Sequence, residues 1–357
     1  MATLKQLNYT GELPDSFFSI PAKIYQNLGF QPEEDSVFTK ALFEHEKHRN
    51  DIIFITDEEI RLVGIFPKEG EEAFFGFWET TNNLEKNREA FMMLVTEAKR
   101  RNFTQLIGPM NFNTFQNYRL RLGNPDWQMF DREPVNPLYY PELLTQLGFG
   151  IRSTFESRLI KKETVPEVYL DKQQFLQELG KIPFVFIPVN PETWQLYEDD
   201  IFELVHLIFS KNPSYKPVSA EQFRLLYNVD FAAKLCPHSS VLFRDQASGR
   251  LAAMSLCPPN YKPLQLPPHV TPVFERDFPK LQKKTLLAKT VGVHPDFRQQ
   301  GLMSYLAAYA MFSFRELYEE VLFCLMRSDN FSTHFTNGLP YEAVQYALYQ
   351  KQLAKAD

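Results

Sequence analysis

Apolar and polar positions recur along this chain with a period that changes from segment to segment. Ile60–Phe66 and Ala73–Glu79 have the length and apolar pattern of strands, and Leu84–Arg101 follows with helical spacing. The same succession returns later. Arg250–Leu256 and Leu286–Val293 predict strands, and Leu302–Leu317 predicts a helix whose Leu302, Leu306, Tyr309, Ala310, Ser313 and Leu317 share one face. Each copy closes on an apolar strand that runs into Asn-Phe-polar-Thr: Asn111-Phe112-Asn113-Thr114 in one, Asn330-Phe331-Ser332-Thr333 in the other. A repeated order of elements around a shared tetrapeptide predicts two related halves.

The second half has a front end of its own. "PFVFIPV" (183–189) predicts a strand. Helices fit Pro191–Phe209, with Asn190 as cap, and Ser219–Leu235 after Pro217. Strands at Val241–Arg244 and Leu251–Leu256 are separated by the turn signal "DQASG", and the chain ends in the Tyr-rich "YEAVQYALYQKQL". The first half closes with "YYPELLTQLGF" and a strand over Arg152–Ile160. Between the halves, "KKETVPEVYLDKQQ" is charged and has no strong apolar period, which predicts a first domain over 1–165, a linker over 166–182 and a second domain over 183–357.

Composition adds exclusions. A chain of 357 residues, 44% hydrophobic with 33 Phe, has the material for two cores. No stretch approaches the roughly 18 unbroken apolar residues of a spanning helix, and "MATLKQLNYTGELPDSFF" lacks the apolar core of a signal peptide. We therefore expect no membrane partner. Cys236, Cys257 and Cys324 have no metal-like spacing and suit a reducing cytoplasm. His45 and His48 in "EHEKH" have no evident third ligand and read as a solvated helix face. The net charge of -6 argues against a nucleic-acid partner.

One stretch carries chemistry. "TVGVHPDFRQQGLMSYL" (290–306) reads as a strand, a Pro-Asp turn, then Arg298, Gln299, Gln300 and Gly301 opening an apolar helix. N–H groups at a helix start have no partners within the helix, and the dipole adds positive character there. A glycine in that turn lets a diphosphate approach the main chain. With the element order of 183–357 and the strand–Asn330 junction, the chain resembles the GNAT superfamily, the GCN5-related N-acetyltransferases, in a tandem arrangement. The resemblance implies an α+β fold of two tandem domains, each a mixed, mostly antiparallel sheet flanked by helices. It also implies a turn of pattern Arg/Gln-x-x-Gly-x-Gly/Ala that binds the pyrophosphate of acyl-CoA. Here Arg298, Gln299, Gln300, Gly301, Leu302 and Met303 fill it, with Met303 in place of the final small residue. The first half has "TTNNLEKNREAF" after its strand, with no glycine, and reads as a degenerate copy that kept the fold and lost the ligand site.

The resemblance further implies that backbone groups of Val291 and Val293 hold the pantetheine and the thioester carbonyl. Asn330 would bond the pantetheine arm or cap the next helix, and Tyr215 would lie on the acceptor side. Tyr341, Tyr346 and Tyr349 are the candidate acids for the departing thiolate. The strand "LLAKTVGV" carries no carboxylate, and its only charge is Lys289, so a base would come from the other half, from Glu275 or from Asp277, or the amine would arrive deprotonated. The function expected is an acyl-CoA-dependent N-acyltransferase acting on a small-molecule amine, with acetyl-CoA as the default donor. The alternatives are a non-catalytic acyl-CoA-binding or interaction protein and, third, a Fem-type transferase taking aminoacyl groups from tRNA.

Overall fold

The computed structural model describes residues 3–26, 28, 34–165, 177–212, 215–267, 270–311 and 313–353. Most of the expected linker over 166–182 lies outside them. The first half opens with β1 (Lys5–Asn8), α1 (Ser19–Tyr25) and α2 (Ser36–Glu46), then runs through β2 (Asn50–Thr56), β3 (Ile60–Pro67) and β4 (Glu72–Thr80). β1 to β4 form an antiparallel meander. α3 (Leu84–Arg100) leads back to β5 (Gln105–Gly108), which lies parallel to β4. β6 (Leu120–Arg121), α4 (Tyr140–Gln146) and β7 (Gly150–Lys161) complete this half. The alternation expected over Ile60–Phe66 is corrected, because β3 and β4 are buried on both faces. Leu94 of α3 closes so tightly on β3 that a Cβ at Gly64 would come within 2.5 Å of it. Elsewhere in this half, Phe43 packs against Phe17, Phe54, Phe77 and Phe112.

The second half contains β8 (Phe184–Pro188), α5 (Pro191–Phe209), α6 (Ala220–Arg224), α7 (Val229–Ala233), β9 (Val241–Asp245) and β10 (Leu251–Leu256). α8 (Phe274–Asp277), β11 (Thr285–Ala288), β12 (Thr290–Val293), α9 (Leu302–Met311), α10 (Phe314–Leu317), β13 (Glu320–Arg327) and β14 (Glu342–Gln352) follow. A four-stranded antiparallel sheet has the order β12-β10-β9-β8. β11 pairs in parallel with β13. α5 starts on a capping box, Asn190 accepting from Thr193 N–H and the Thr193 hydroxyl accepting from Asn190 N–H. The helix expected over Ser219–Leu235 is two short ones, because the Asn228 side chain accepts the Phe231 N–H and starts a new helix there. Likewise the helix expected over Leu302–Leu317 is divided into α9 and α10. The architecture is the mixed, mostly antiparallel sheet with flanking helices that the sequence leads one to expect.

By contact the chain forms two compact units, and neither is one continuous segment. The first comprises Met1–Asn124, Arg132–Phe155 and Gln345–Asp357, and the second Pro125–Asp131 and Glu156–Val344. Most of β14 thus returns to the first unit, pairing with β5, while a short loop from the first half belongs to the second. Among the described residues no helix is long and apolar enough to cross a membrane.

A buried polar network in the first unit has a measurable consequence. Arg61 is 1% exposed, pairs with both oxygens of Glu34 (2.5 and 2.7 Å) and donates to the Phe77 carbonyl at 2.9 Å. Glu79, opposite Arg61 across the β3–β4 ladder, accepts from Tyr140 Oη at 2.8 Å. Burial raises the Glu79 pKa from 4.5 to about 7, with Arg61 opposing and Glu34 reinforcing the shift. A carboxyl that holds its proton more tightly folded than unfolded makes the fold lose stability as pH rises from the unfolded value through about 7. Glu79→Gln should therefore unfold like the parent near pH 4 but be more stable by roughly 1–3 kcal/mol at pH 8 in thermal melts. An equal or lower melting temperature at pH 8 would contradict this.

Candidate functional site

Two parallel strands of the second unit run together and then part. β11 pairs with β13 from Thr285↔Glu320 to Ala288↔Phe323. At Lys289 the chain leaves β13 and continues as β12, which pairs only with β10 and forms the edge of its sheet. β13 itself continues to Arg327. The single strand expected over Leu286–Val293 is thus two, and among the described residues β12 has no strand pairing on the side where β11 met β13. Lys289 marks the parting. Its Nζ donates to the Asp131 carbonyl at 2.6 Å and lies 5.5 Å from the Phe130 ring centroid. Asn260 donates to the carbonyls of Gln128 and Met129, and Lys234 pairs with Asp131 at 3.3 Å. The one charge on this strand therefore anchors the loop Pro125–Asp131.

Ladder geometry decides what β12 offers the gap. His294 N–H donates to the Ala252 carbonyl at 2.8 Å. Polar groups alternate sides along an antiparallel strand, so Thr290 and Gly292 also bond towards β10 while Val291 and Val293 turn their N–H and C=O towards the gap. On the face towards α5, a Cβ at Gly292 would lie 2.6 Å from Ile208. That contact explains a glycine in the middle of the strand.

Beyond β12, Pro295–Gln300 forms a 3-10 turn ending at Gly301, whose φ of 68° is left-handed. A Cβ there would meet nothing within 4 Å, so it is the backbone conformation that favours glycine, and the space above it is open. Arg298, Gln299, Gln300 and Gly301 are exposed. Leu302 and Met303 begin α9, where N–H groups gather at the positive end of the helix dipole. Leu302 is buried, and Met303 is half-buried with its side chain packed on the core of Val293, Phe297 and Leu306. The bulk at Met303 is thus turned inward, away from the exposed side of the turn.

The first unit contains the same parting in closed form. β4 and β5 pair in parallel from Glu72↔Gln105 to Phe74↔Ile107 and then separate. Here the chain fills its own gap. Met110 N–H donates to the Phe75 carbonyl at 2.8 Å, and Phe77 N–H donates to Asn111 Oδ1 at 2.7 Å. A Cβ at Gly76 would lie 2.4 Å from the Met110 carbonyl oxygen, and one at Gly108 would lie 2.4 Å from that of Phe75. Asn111 of the repeated tetrapeptide thus supplies an amide to the very edge that β12 leaves open. The helix that follows, α3, is capped by Asn83 instead of a glycine turn.

The remaining expected site residues are dispersed. Asn330 is exposed and lies beyond β13, which ends at Arg327, so its expected place at a strand end is corrected. Its carbonyl accepts from Thr333 N–H and Oγ1 at the start of the 3-10 helix Phe331–Thr336. Tyr341, 45% exposed, belongs to the second unit, with the Arg158 guanidinium 4.4 Å from its ring centroid. Tyr346 and Tyr349 belong to the first unit. Tyr346 is fully buried and donates to Glu133 at 2.7 Å, while Tyr349 is buried opposite Gly108, which raises its pKa. Tyr215 is half-buried beside the His206 ring, and burial pushes its pKa up to about 12. Asp277 is a poor base, because Arg276 first and Lys280 second hold its carboxyl well below the usual range. Glu275 is exposed. Sequence reasoning missed the roles of Lys289, Asn111 and His294. The echo of Asn111 in Asn330 was the available signal for one of them.

Two sheets, helices on their faces and a parting of parallel strands before a glycine turn make this the fold of the tandem GNAT proteins. A tandem GNAT protein from the clavulanic acid biosynthesis pathway superposes with a TM-score of 0.52 at 10% identity, covering 99% of this chain and 100% of that one. A GCN5-related N-acetyltransferase from Sphaerobacter thermophilus gives a TM-score of 0.48 at 11% identity, over 99% and 97% of the two chains. One from Kribbella flavida gives 0.48 at 8%, over 99% and 71%. At such identities the likeness is one of fold. No protein-family model and no curated protein matches the chain.

The two glycine positions respond differently to one methyl group. Gly76→Ala drives a Cβ into backbone and should cost more than about 2 kcal/mol, whereas Gly301→Ala meets only left-handed strain of roughly 1–2 kcal/mol. Chemical denaturation of the two variants measures the difference, and equal losses would contradict the close approach at Gly76.

Proposed function

We propose that the second unit binds acyl-CoA, acetyl-CoA being the default donor, and transfers the acyl group to a small amine. The observation that carries this reading is the contrast between the two partings. In the first unit an N–H and an amide oxygen of the chain itself satisfy Phe75 C=O and Phe77 N–H. In the second unit, Val291 and Val293 turn backbone groups away from β10 at the same spacing, and among the described residues no strand pairs with them there; the Val293 carbonyl accepts from Arg298 Nε at 3.5 Å. An amide-bearing arm has the donors and acceptors to complete them. The exposed turn at Arg298–Gly301 and the start of α9 lie where the chain leaves β12, and they suit a diphosphate.

The chemistry follows from these parts. The amine nitrogen attacks the thioester carbonyl, the C–S bond breaks, and the thiolate takes up a proton. Backbone N–H groups of β12 are placed to polarise that carbonyl. β12 carries no carboxylate, so the amine enters neutral or loses its proton to water. Tyr341 is the one candidate acid of the three that belongs to the second unit. The missing strand carboxylate also motivates the second reading, a binding protein without turnover.

Titration calorimetry with acetyl-CoA should give one site per chain, because the first gap is filled. Gly301→Phe should remove the binding heat while retaining a cooperative melt. No binding, or two equivalent sites, would overturn the proposal. Release of free thiol in the presence of a panel of primary amines, above the hydrolysis background, separates enzyme from binding protein.

A further inference from the structure

His294 lies between β12 and the glycine turn and is 4% exposed. Its Nδ1 accepts the backbone N–H of Asp296 at 3.1 Å, which caps the 3-10 turn Pro295–Gln300. Its Nε2 lies 2.8 Å from Nη2 of Arg250, whose guanidinium also reaches Asp296 Oδ2 at 3.1 and 3.2 Å. Both ring nitrogens therefore face N–H donors. A neutral imidazole can accept at one of them, and an imidazolium at neither. The charged groups around the ring are Arg250, from the turn between β9 and β10, Asp296 and Arg298 from its own turn, and Glu203 from α5. The Phe297 ring packs edge-on at 5.5 Å. Burial, and after it Arg250, hold the imidazole below the ordinary histidine pKa, so the ring is neutral at neutral pH.

We infer that His294 is a positioning residue that ties the diphosphate-binding turn to pH. Neutral, it accepts the Asp296 N–H at Nδ1 and adds no charge beside Arg250. Protonated, it loses the acceptor for Asp296 N–H and places a third cation beside Arg250 and Arg298, so the turn opens and ligand is released. This rests on the reading of Arg298–Met303 as the CoA turn. The expected sign is opposite to that of simple charge attraction, in which an added positive charge would tighten the hold on a diphosphate.

The test compares the full chain with His294→Asn and His294→Ala, using CoA as the probe, from about pH 8 to about pH 5. Asn carries an amide oxygen that caps a residue two positions on, and it does not titrate. The parent should weaken towards the acid end by at least about threefold more than His294→Asn does, a comparison that also removes the titration of the ligand's own phosphates. His294→Ala should bind weakly throughout. Equal pH dependence in parent and His294→Asn, or tighter binding by the parent at acid pH, would overturn the inference. Hydrogen exchange of the Asp296 amide without ligand gives a second readout. Relative to His294→Asn, the parent should lose protection as pH falls, and retained protection would overturn the inference by itself. If CoA fails to bind at pH 8, the function proposed above falls, and this exchange measurement still decides the role of His294.

Discussion

The arrangement depends on one backbone event, the departure of the chain from β13 at Lys289. Up to Ala288 the strand is hydrogen-bonded to β13, and from Thr290 it pairs with β10, while the Val293 carbonyl also accepts from Arg298 Nε at 3.5 Å. Such a parting leaves main-chain donors and acceptors at Val291 and Val293 without a strand partner, a state that a buried backbone does not tolerate unless water or a ligand completes it. Two contacts fix the chain where it parts. Ile208 presses on Gly292 from α5, and Lys289 is fastened to the loop Pro125–Asp131.

In the first unit the same problem is solved internally. Its strands part after Phe74, and the chain folds Met110 and Asn111 back into the opening, with glycines at positions 76 and 108 because a Cβ at either would collide with backbone. The two halves thus differ less in their strands than in how the parted edge is completed: by a peptide of the chain in one, and by an open edge beside a glycine turn in the other.

Much of this was legible in the sequence. The apolar strand runs of Ile60–Phe66 and Leu251–Leu256, the capped helix from Pro191 to Phe209 and the Asn-Phe-polar-Thr echo all signal elements that the structure contains, because each rests on local composition and capping. The break at Lys289 left no trace, since "LLAKTVGV" is equally good strand on both sides and only tertiary pairing divides it. The return of β14 to the first unit was equally hidden, because pairing partners are not encoded in a strand's own pattern. That is why Tyr346 and Tyr349 read as part of the second half. Met303 stood out as a defect because its side-chain direction depends on the orientation of α9, which a motif does not specify. Nothing in the sequence singles out His294, because its contact is with the arginine that the β9–β10 turn brings to it.

If a ligand completes the edge of β12 and the chain itself completes the edge of β4, the two edges must differ in solution. Residue-resolved amide exchange, with and without CoA, tests this most directly. Slow exchange is expected at Phe77 in both states, with new protection on binding at the N–H groups of Val291 and Val293 and at the start of α9. Unchanged exchange along β12 in the presence of bound CoA, or new protection appearing in β4 instead, would contradict it.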